Sequence, residues 1–475
     1  MYNIVAGLFQ NQIQSVQHNR QERVIERTDM SASLLKSDLV VTLDPDDRIL
    51  KEGYIVIEEN QIVEMGLQKD LENRRKFDEV IELKDRLVMP GLINAHTHTP
   101  MTLFRGHVEG HSLFTMDGWY NTIRVLELEM KPEMLPGAVA VSCAEMIRTG
   151  TTCFADQYFW MDQIVPEVRR SGLRAALAYG IVELGDAGAR QRELTAAASF
   201  LEELRDDPLL DGWVGPHAFF VDNSETAMRM ELDLATRHNT GFHTHFGTGD
   251  EEEVYCQEKY GHSVIQQLKQ MGFLERPILA AHSITLQPAD FSTVAQAPFT
   301  VVFAPSSDMR NAAGIPPLME MLAAGIQVAL GTDNVSNNNS YDMFKEMTLT
   351  GKLMALMKRD PAAIPTRSIL EMATLGGARA LGQEKEIGSL EVGKKADLIA
   401  LDLNEIGWSP RGGQDIYTAL VYSVTGQHVC DVMVDGRWLF RDNRWLTVDF
   451  NAARRELERQ HTELMGRIKN KQQVL

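Results

Sequence analysis

Residues Pro90 to His98 read PGLINAHTH, an apolar run that ends in two histidines one residue apart. Side chains alternate faces along a β-strand, so His96 and His98 share one face. Two imidazoles on one face at a strand's C-terminal end can grip a single metal ion. Taken alone, the pair reads equally well as two satisfied polar residues on a surface strand. A second pair, His243 and His245 in TGFHTHF, tilts the balance toward metal. The chain holds thirteen histidines, and both pairs close strand-like runs.

Outward from this stretch, apolar runs alternate with amphipathic helical ones. The runs are Leu92–His98, Thr151–Asp156, Leu173–Gly180, Trp213–Ala218, Gly241–Phe246, Ile278–His282, Thr300–Ala304 and Gln327–Asp333. Helical patterns such as GAVAVSCAEMIRTG and PPLMEMLAAG lie between them. The strands are near-continuously apolar, as buried parallel strands are. The pattern therefore predicts an α/β fold, a (β/α)8 TIM-like barrel over residues 89–384. Short alternating strands with turn residues occupy residues 35–88 and return in 385–448, for example KKADLIALDL and VCDVMVDGRWLF. Neither piece has enough strands to bury a face alone, so the two ends are expected to form one small composite β-sandwich. Residues 1–34 read as an N-terminal extension and 449–475 as a charged, solvated C-terminal helix.

Composition narrows the function classes. At 475 residues the chain is long enough for one large barrel and an accessory domain. A hydrophobic content of 44% with 24% charged residues is that of a globular protein. The net charge of −19 argues against nucleic-acid and anionic-membrane surfaces. No apolar run reaches the roughly 18–20 residues that span a bilayer. Cys143, Cys153, Cys256 and Cys430 are scattered, without a C-x-x-C motif, and read as packing residues of a reducing cytoplasm. Residues 1–29 carry no cleavage-site pattern and read as a flexible arm, or as an upstream extension if Met30 is the start.

Function in such a barrel sits where the strands end. His96 and His98 end the first strand, His245 the fifth, His282 the sixth and Asp333 the eighth. Imidazoles and a carboxylate suit Zn²⁺ or Fe²⁺ with a position left open for water. One strand-end histidine is weak evidence; five such residues at four strand ends are strong.

With these residues in view, the chain resembles the amidohydrolase superfamily. The resemblance rests on PGLINAHTHTPMTLFRG, the HTH of the fifth strand, AAHS, GTDN followed by SNNN, and GSLEVGKKADLIALD. The subgroup it looks most like contains triazine hydrolases and methylthioadenosine/S-adenosylhomocysteine deaminases. The resemblance implies one divalent metal per chain, zinc first and iron or cobalt as alternatives, held by His96, His98, His245 and Asp333. It further implies that His282 bonds the attacking water or substrate and His217 contacts the substrate. His243 then faces away or supports the site from behind. Binuclear relatives carry a lysine on the fourth strand; GWVGPHAFF has none, so one metal is expected. Such a metal would bring bound water toward neutral pKa, with Asp333 accepting its proton and His282 stabilising developing charge.

The chain departs from the deaminase pattern at two places. The deaminases' proton-shuttling glutamate, three residues past the fifth-strand ligand, corresponds to Thr248. Asp250 or Glu251 could swing into that role, although acids there also read as a solvated helix N-terminus. PSSD at Pro305–Asp308 ends in aspartate where the resembling relatives usually have asparagine. Loops rich in aromatic and apolar residues, with Trp119 and Tyr158 among them, suggest a pocket with few charges. The expectation is a C–N hydrolase acting on a small apolar or aromatic substrate such as an s-triazine, N-aryl urea or carbamate. The alternative is a heteroaromatic amine deaminase; a non-catalytic barrel is disfavoured because every expected ligand is present. A small-molecule substrate, a homo-oligomer and a cytoplasmic location complete the expectations.

Overall fold

The computed structural model describes residues 32–71 and 76–472. Four strands open this range: β1 (Ala32–Val41), β2 (Ile49–Glu58), β3 (Gln61–Leu67) and β4 (Glu79–Pro90). Eight more follow at intervals: β5 (Leu92–Thr97), β6 (Thr151–Tyr158), β7 (Arg174–Ile181), β8 (Leu210–Pro216), β9 (Phe242–Phe246), β10 (Ile278–His282), β11 (Phe299–Phe303) and β12 (Gln327–Leu330). The last four are β13 (Leu398–Asp402), β14 (Val429–Val434), β15 (Arg437–Arg441) and β16 (Arg444–Trp445).

Strands β5 to β12 form one parallel sheet in chain order, with helices in the crossovers, as the alternating pattern predicts. Every residue of β5, β6, β7, β10 and β11 is buried, which is why these runs lack a polar face. The two edges meet through Asp333, whose N–H donates to the His96 carbonyl at 2.9 Å. Beside it, the Asn94 side chain accepts from the Thr332 N–H at 3.0 Å and donates to the Thr332 hydroxyl at 2.8 Å. Gly331 permits this approach, because a Cβ there would lie 2.9 Å from the His96 backbone nitrogen. The first and last ligand-bearing strands are thus stitched together at the barrel mouth.

The two chain ends join as expected, but as one continuous eight-stranded sheet, β16-β15-β14-β13-β4-β1-β2-β3. The reason is β4, which pairs parallel with β1 on one edge and antiparallel with β13 on the other. Leu35, Ile55 and Ile81 from the first piece share a buried cluster with Leu398, Ala400 and Met433 from the second. β1 starts at Ala32, inside the stretch assigned to the extension; the arm read into residues 1–29 lies outside the described residues.

The C-terminal helix, Phe450–Gln472, differs from the solvated helix expected. Leu464 and Gln460 are fully buried, and Gln460 accepts from the Gly137 N–H on the helix Pro136–Arg148. His461 also bonds the Leu103 carbonyl in the loop after β5. A few apolar and amide positions dock this helix, too sparse to stand out among its charges. All four cysteines are buried free thiols. Among the described residues, no helix is long and apolar enough to cross a membrane.

Candidate metal centre and active site

One ligand atom from each of His96, His98, His245 and Asp333 lies within 4.8 Å of the others. The Nε2 atoms of His98 and His245 are 3.1 Å apart, and Asp333 Oδ1 is 3.4 Å from His96 Nε2 and 3.3 Å from His98 Nε2. Three imidazole nitrogens and one carboxylate oxygen converging this closely fit a divalent ion of the zinc type. The fit is sharpened by His96 Nε2, which is buried and has no hydrogen-bond partner.

Each imidazole is turned by a contact on its other nitrogen. His98 Nδ1 lies 2.6 Å from the Gln157 carbonyl and His245 Nδ1 lies 2.9 Å from the His217 carbonyl. A carbonyl only accepts, so both rings carry their proton on Nδ1 and leave Nε2 free to ligate. His96 Nδ1 meets Nε2 of His243 at 2.7 Å, so His243 stands behind His96 and outside the ligand set. Asp156 steadies the end of β5, accepting from the Thr97 hydroxyl and the Thr99 N–H at 2.7 Å each.

Burial and the neighbouring charges set the protonation states. Burial holds His96 down at about 3, against the opposing pull of Asp333. His245 is also lowered well below the ordinary range, by burial and then by its histidine neighbours. Burial alone would raise Asp333, yet His96 and His98 outweigh it and keep the carboxyl well below its usual value. His98 goes the other way: against the effect of burial, Asp333 and the Gln157 carbonyl raise it above the ordinary imidazole value. Neutral His96 and His245 facing an ionised Asp333 are the protonation states that a bound cation requires.

His282 lies beside this cluster, its ring centroid 5.5 Å from that of His96 and 5.8 Å from that of His245. Its Nδ1 bonds Asp308 at 2.7 Å, both side chains are fully buried, and its Nε2 has no partner. The PSSD departure therefore puts a carboxylate on the back of His282. Asp333 is braced by the Ser307 hydroxyl and the Asn334 amide, and Asn337 bonds Ser307 in turn. His282 and Asp333 have φ of 76° and 59°, in the left-handed region that only a minority of non-glycine residues occupy.

A cleft with an empty volume of about 1050 Å³, its open mouth included, leads to the cluster. His98, His245 and Asp333 line it together with Trp119, Tyr158, His217 and Thr248, so the expected substrate-side residues are all present. His217 sits with its ring 4.6 Å from His245 and 5.4 Å from Trp119, and its Nδ1 is held by Asp222. His282 lies just behind the wall, covered by the Phe114 ring at 4.3 Å. The expectation of few charges fails: Arg124, Glu127, Asp222, Glu251 and Glu252 also line the cleft. Glu127 and Glu252 are not among the site residues expected from the sequence, and the tertiary placement of their helices brings them to the cleft.

The sequence model described as the amidohydrolase family matches residues 87–439, about three quarters of the chain and the whole of this site. This chain belongs to the amidohydrolase family. Among its relatives, the 5'-deoxyadenosine deaminase of Methanosarcina mazei is 34% identical over 442 residues, covering 92% of this chain and all of the relative. The 5-methylthioadenosine/S-adenosylhomocysteine deaminase of Caldanaerobacter subterraneus is 35% identical over 435 residues, covering 91% and 98%. A crystal structure of an adenosine deaminase from Xanthomonas campestris, with bound zinc, superposes with a TM-score of 0.86 at 28% identity, covering 92% of this chain and 99% of that one. The chain is thus an amidohydrolase-family enzyme acting on C–N bonds, and its relatives favour the deaminase alternative over the triazine, urea or carbamate reading.

Proposed function

We propose that this amidohydrolase is a zinc-dependent deaminase of adenine-type nucleosides, replacing the exocyclic amine by oxygen and releasing ammonia. The reading is carried by the 34% identity to a 5'-deoxyadenosine deaminase along that relative's entire length. The polar cleft agrees with it better than with a greasy xenobiotic. Glu127 receives the Tyr158 hydroxyl at 2.9 Å and Arg124 at 3.3 Å, and its carboxylate has lone pairs left for substrate hydroxyls.

His96, His98, His245 and Asp333 would hold the ion, with iron or cobalt as alternatives to zinc. Bound there, such an ion lowers the pKa of water toward neutrality. The residues supply the rest. Asp333 accepts the water's proton as its oxygen attacks the carbon bearing the amine. His282, oriented through Nδ1 by Asp308, presents Nε2 to the attacking oxygen. His217, held by Asp222, and the Trp119 ring orient the flat heterocycle.

The test is ammonia release from 5'-deoxyadenosine by zinc-loaded protein, followed with adenosine, aminotriazines, ureas and carbamates in parallel. Deamination of the nucleosides, abolished by chelation and restored by zinc, is the expected result. Release of alkylamine or aniline from ureas or carbamates without nucleoside deamination would overturn the reading.

A further inference from the structure

Deamination of an adenine-type ring needs a proton delivered to the ring nitrogen beside the attacked carbon and another to the departing amine. Thr248 stands where the resembling deaminases place the glutamate for this task, and a threonine hydroxyl is too weak an acid for it. We propose that Glu252 carries that proton, reaching the cleft from the first turn of the helix Glu251–Tyr260 rather than from the end of β9. The inference rests on the deaminase reading and deepens it.

The geometry singles out this acid among its neighbours. Glu252 is 4% exposed and lines the cleft together with His245, Thr248 and Asp333. Its Oε2 accepts from the Gly247 N–H at 2.6 Å. Gly247 is two residues past the ligand His245, so the N–H that anchors the carboxyl lies within about 7 Å of chain from that ligand. Asp250 is exposed and does not line the cleft; Glu251 lines it but is exposed to solvent. Both acids that the sequence offers for the role are therefore displaced by the third.

The surroundings keep a proton on Glu252. Burial lifts its carboxyl to about 8; the Gly247 N–H opposes this, while Glu251, Asp222 and Glu253 reinforce it. The charged groups that act on it are Glu251 and Glu253 on its own helix and Asp222 after β8. His217, His245 and Arg124 line the same cleft, and Arg124 is paired with Glu127. A carboxylic acid that is neutral at pH 7 and loses its proton near pH 8 can donate and recover one within a turnover.

The step balances as follows. Water's oxygen bonds the amine-bearing carbon and one water proton passes to Asp333. The C=N electron pair moves to the ring nitrogen, which takes the proton of Glu252. The hydroxyl of the tetrahedral carbon then returns a proton to the Glu252 carboxylate as the carbonyl forms. The C–N bond breaks, and the amine leaves as ammonia with the proton held by Asp333. Both acids end as they began.

Zinc-loaded wild type, E252Q and D250N are compared for 5'-deoxyadenosine deamination between pH 5.5 and 9.5, with metal content and Tm recorded. Glutamine keeps an acceptor for the Gly247 N–H, so E252Q should retain metal and fold. Its kcat is expected to fall about 100-fold or more with KM nearly unchanged. The wild-type decline in kcat/KM through about pH 8 should vanish from it. D250N should match wild type. An E252Q kcat within about threefold of wild type, or a wild-type alkaline limb that persists in E252Q, overturns the inference while leaving the deaminase intact. If E252Q loses metal or fold, E252D is judged instead: a lowered kcat at full metal content supports the role and an unchanged one overturns it. Wild type that releases no ammonia from any adenine nucleoside brings down the deaminase reading itself, and the inference with it.

Discussion

His243 Nε2 lies 2.7 Å from Nδ1 of His96, behind a ligand rather than among the ligands. His96 can ligate through Nε2 only if Nδ1 carries the proton, and His243 is the acceptor that favours this tautomer. Alanine at His243 should therefore weaken zinc binding by about 10- to 100-fold without emptying the site at saturating zinc. Alanine at His96 or Asp333 should instead remove metal and turnover together. Zinc competition against a chromophoric chelator separates the two behaviours. An H243A protein with wild-type zinc affinity would show that the contact has no orienting role.

Asp308 and His282 form a second buried pair, 2.7 Å apart. Asparagine still offers an oxygen to the imidazole N–H, so Asp308→Asn should cost less than about tenfold in kcat. Asp308→Ala leaves a buried N–H unpaired, about 1–3 kcal/mol of desolvation, and frees the ring to turn. Its kcat should drop about 100-fold with metal content intact. Equal activity of the alanine and asparagine variants would rule out an orienting role for this contact.

Most of the barrel was legible because buried parallel strands must be apolar along their whole length, and each predicted run overlaps an observed strand. The strand-end ligands were legible for the same reason: a histidine or aspartate interrupting such a run is conspicuous. Glu252 and Glu127 were not. In GDEEEV and RVLELE an acid is indistinguishable from its solvated neighbours, and what turns it inward is the path of the loop at Gly247 or the seat of a helix across the mouth. The single sheet linking the chain ends was equally hidden, since hydrophobic alternation along β4 does not reveal which strand lies on either edge.

Glu346 makes stability depend on pH in a definite direction. It is fully buried, accepts from the Ser306 N–H and the Asn338 amide at 3.0 Å each, and so ties the helix Pro305–Arg310 to the turn that follows Asp333. Burial raises its carboxyl from 4.5 to about 7 despite those bonds. Between these values the folded state binds more protons than the unfolded one, so this residue's contribution falls as pH rises. The full effect is on the order of 3 kcal/mol. Glutamine cannot titrate, although its amide group serves one of the two donors poorly. The stability advantage of wild type over E346Q, from urea unfolding at fixed zinc, should therefore be largest near pH 5 and shrink toward pH 7.5. A difference that stays constant across this range would contradict the argument.

Glu127 offers the sharpest test of what the cleft is shaped to hold. Tyr158 and Arg124 fix its carboxylate from two sides, and the carboxylate lines the cleft beside Trp119. A hydrogen bond from a substrate hydroxyl to a fixed carboxylate is worth about 1.5–3 kcal/mol, roughly 10- to 150-fold in binding. Replacement by glutamine preserves size but removes the charge and turns an N–H₂ toward one donor. KM for 5'-deoxyadenosine should rise by at least about tenfold in E127Q while kcat changes little, because the hydroxyls are remote from the reacting carbon. With the 2',3'-dideoxy analogue, wild type and E127Q should have similar KM, since neither has a sugar hydroxyl to bind. If E127Q impairs both substrates equally, Glu127 acts through the shape of the mouth, and sugar recognition must come from elsewhere in the cleft.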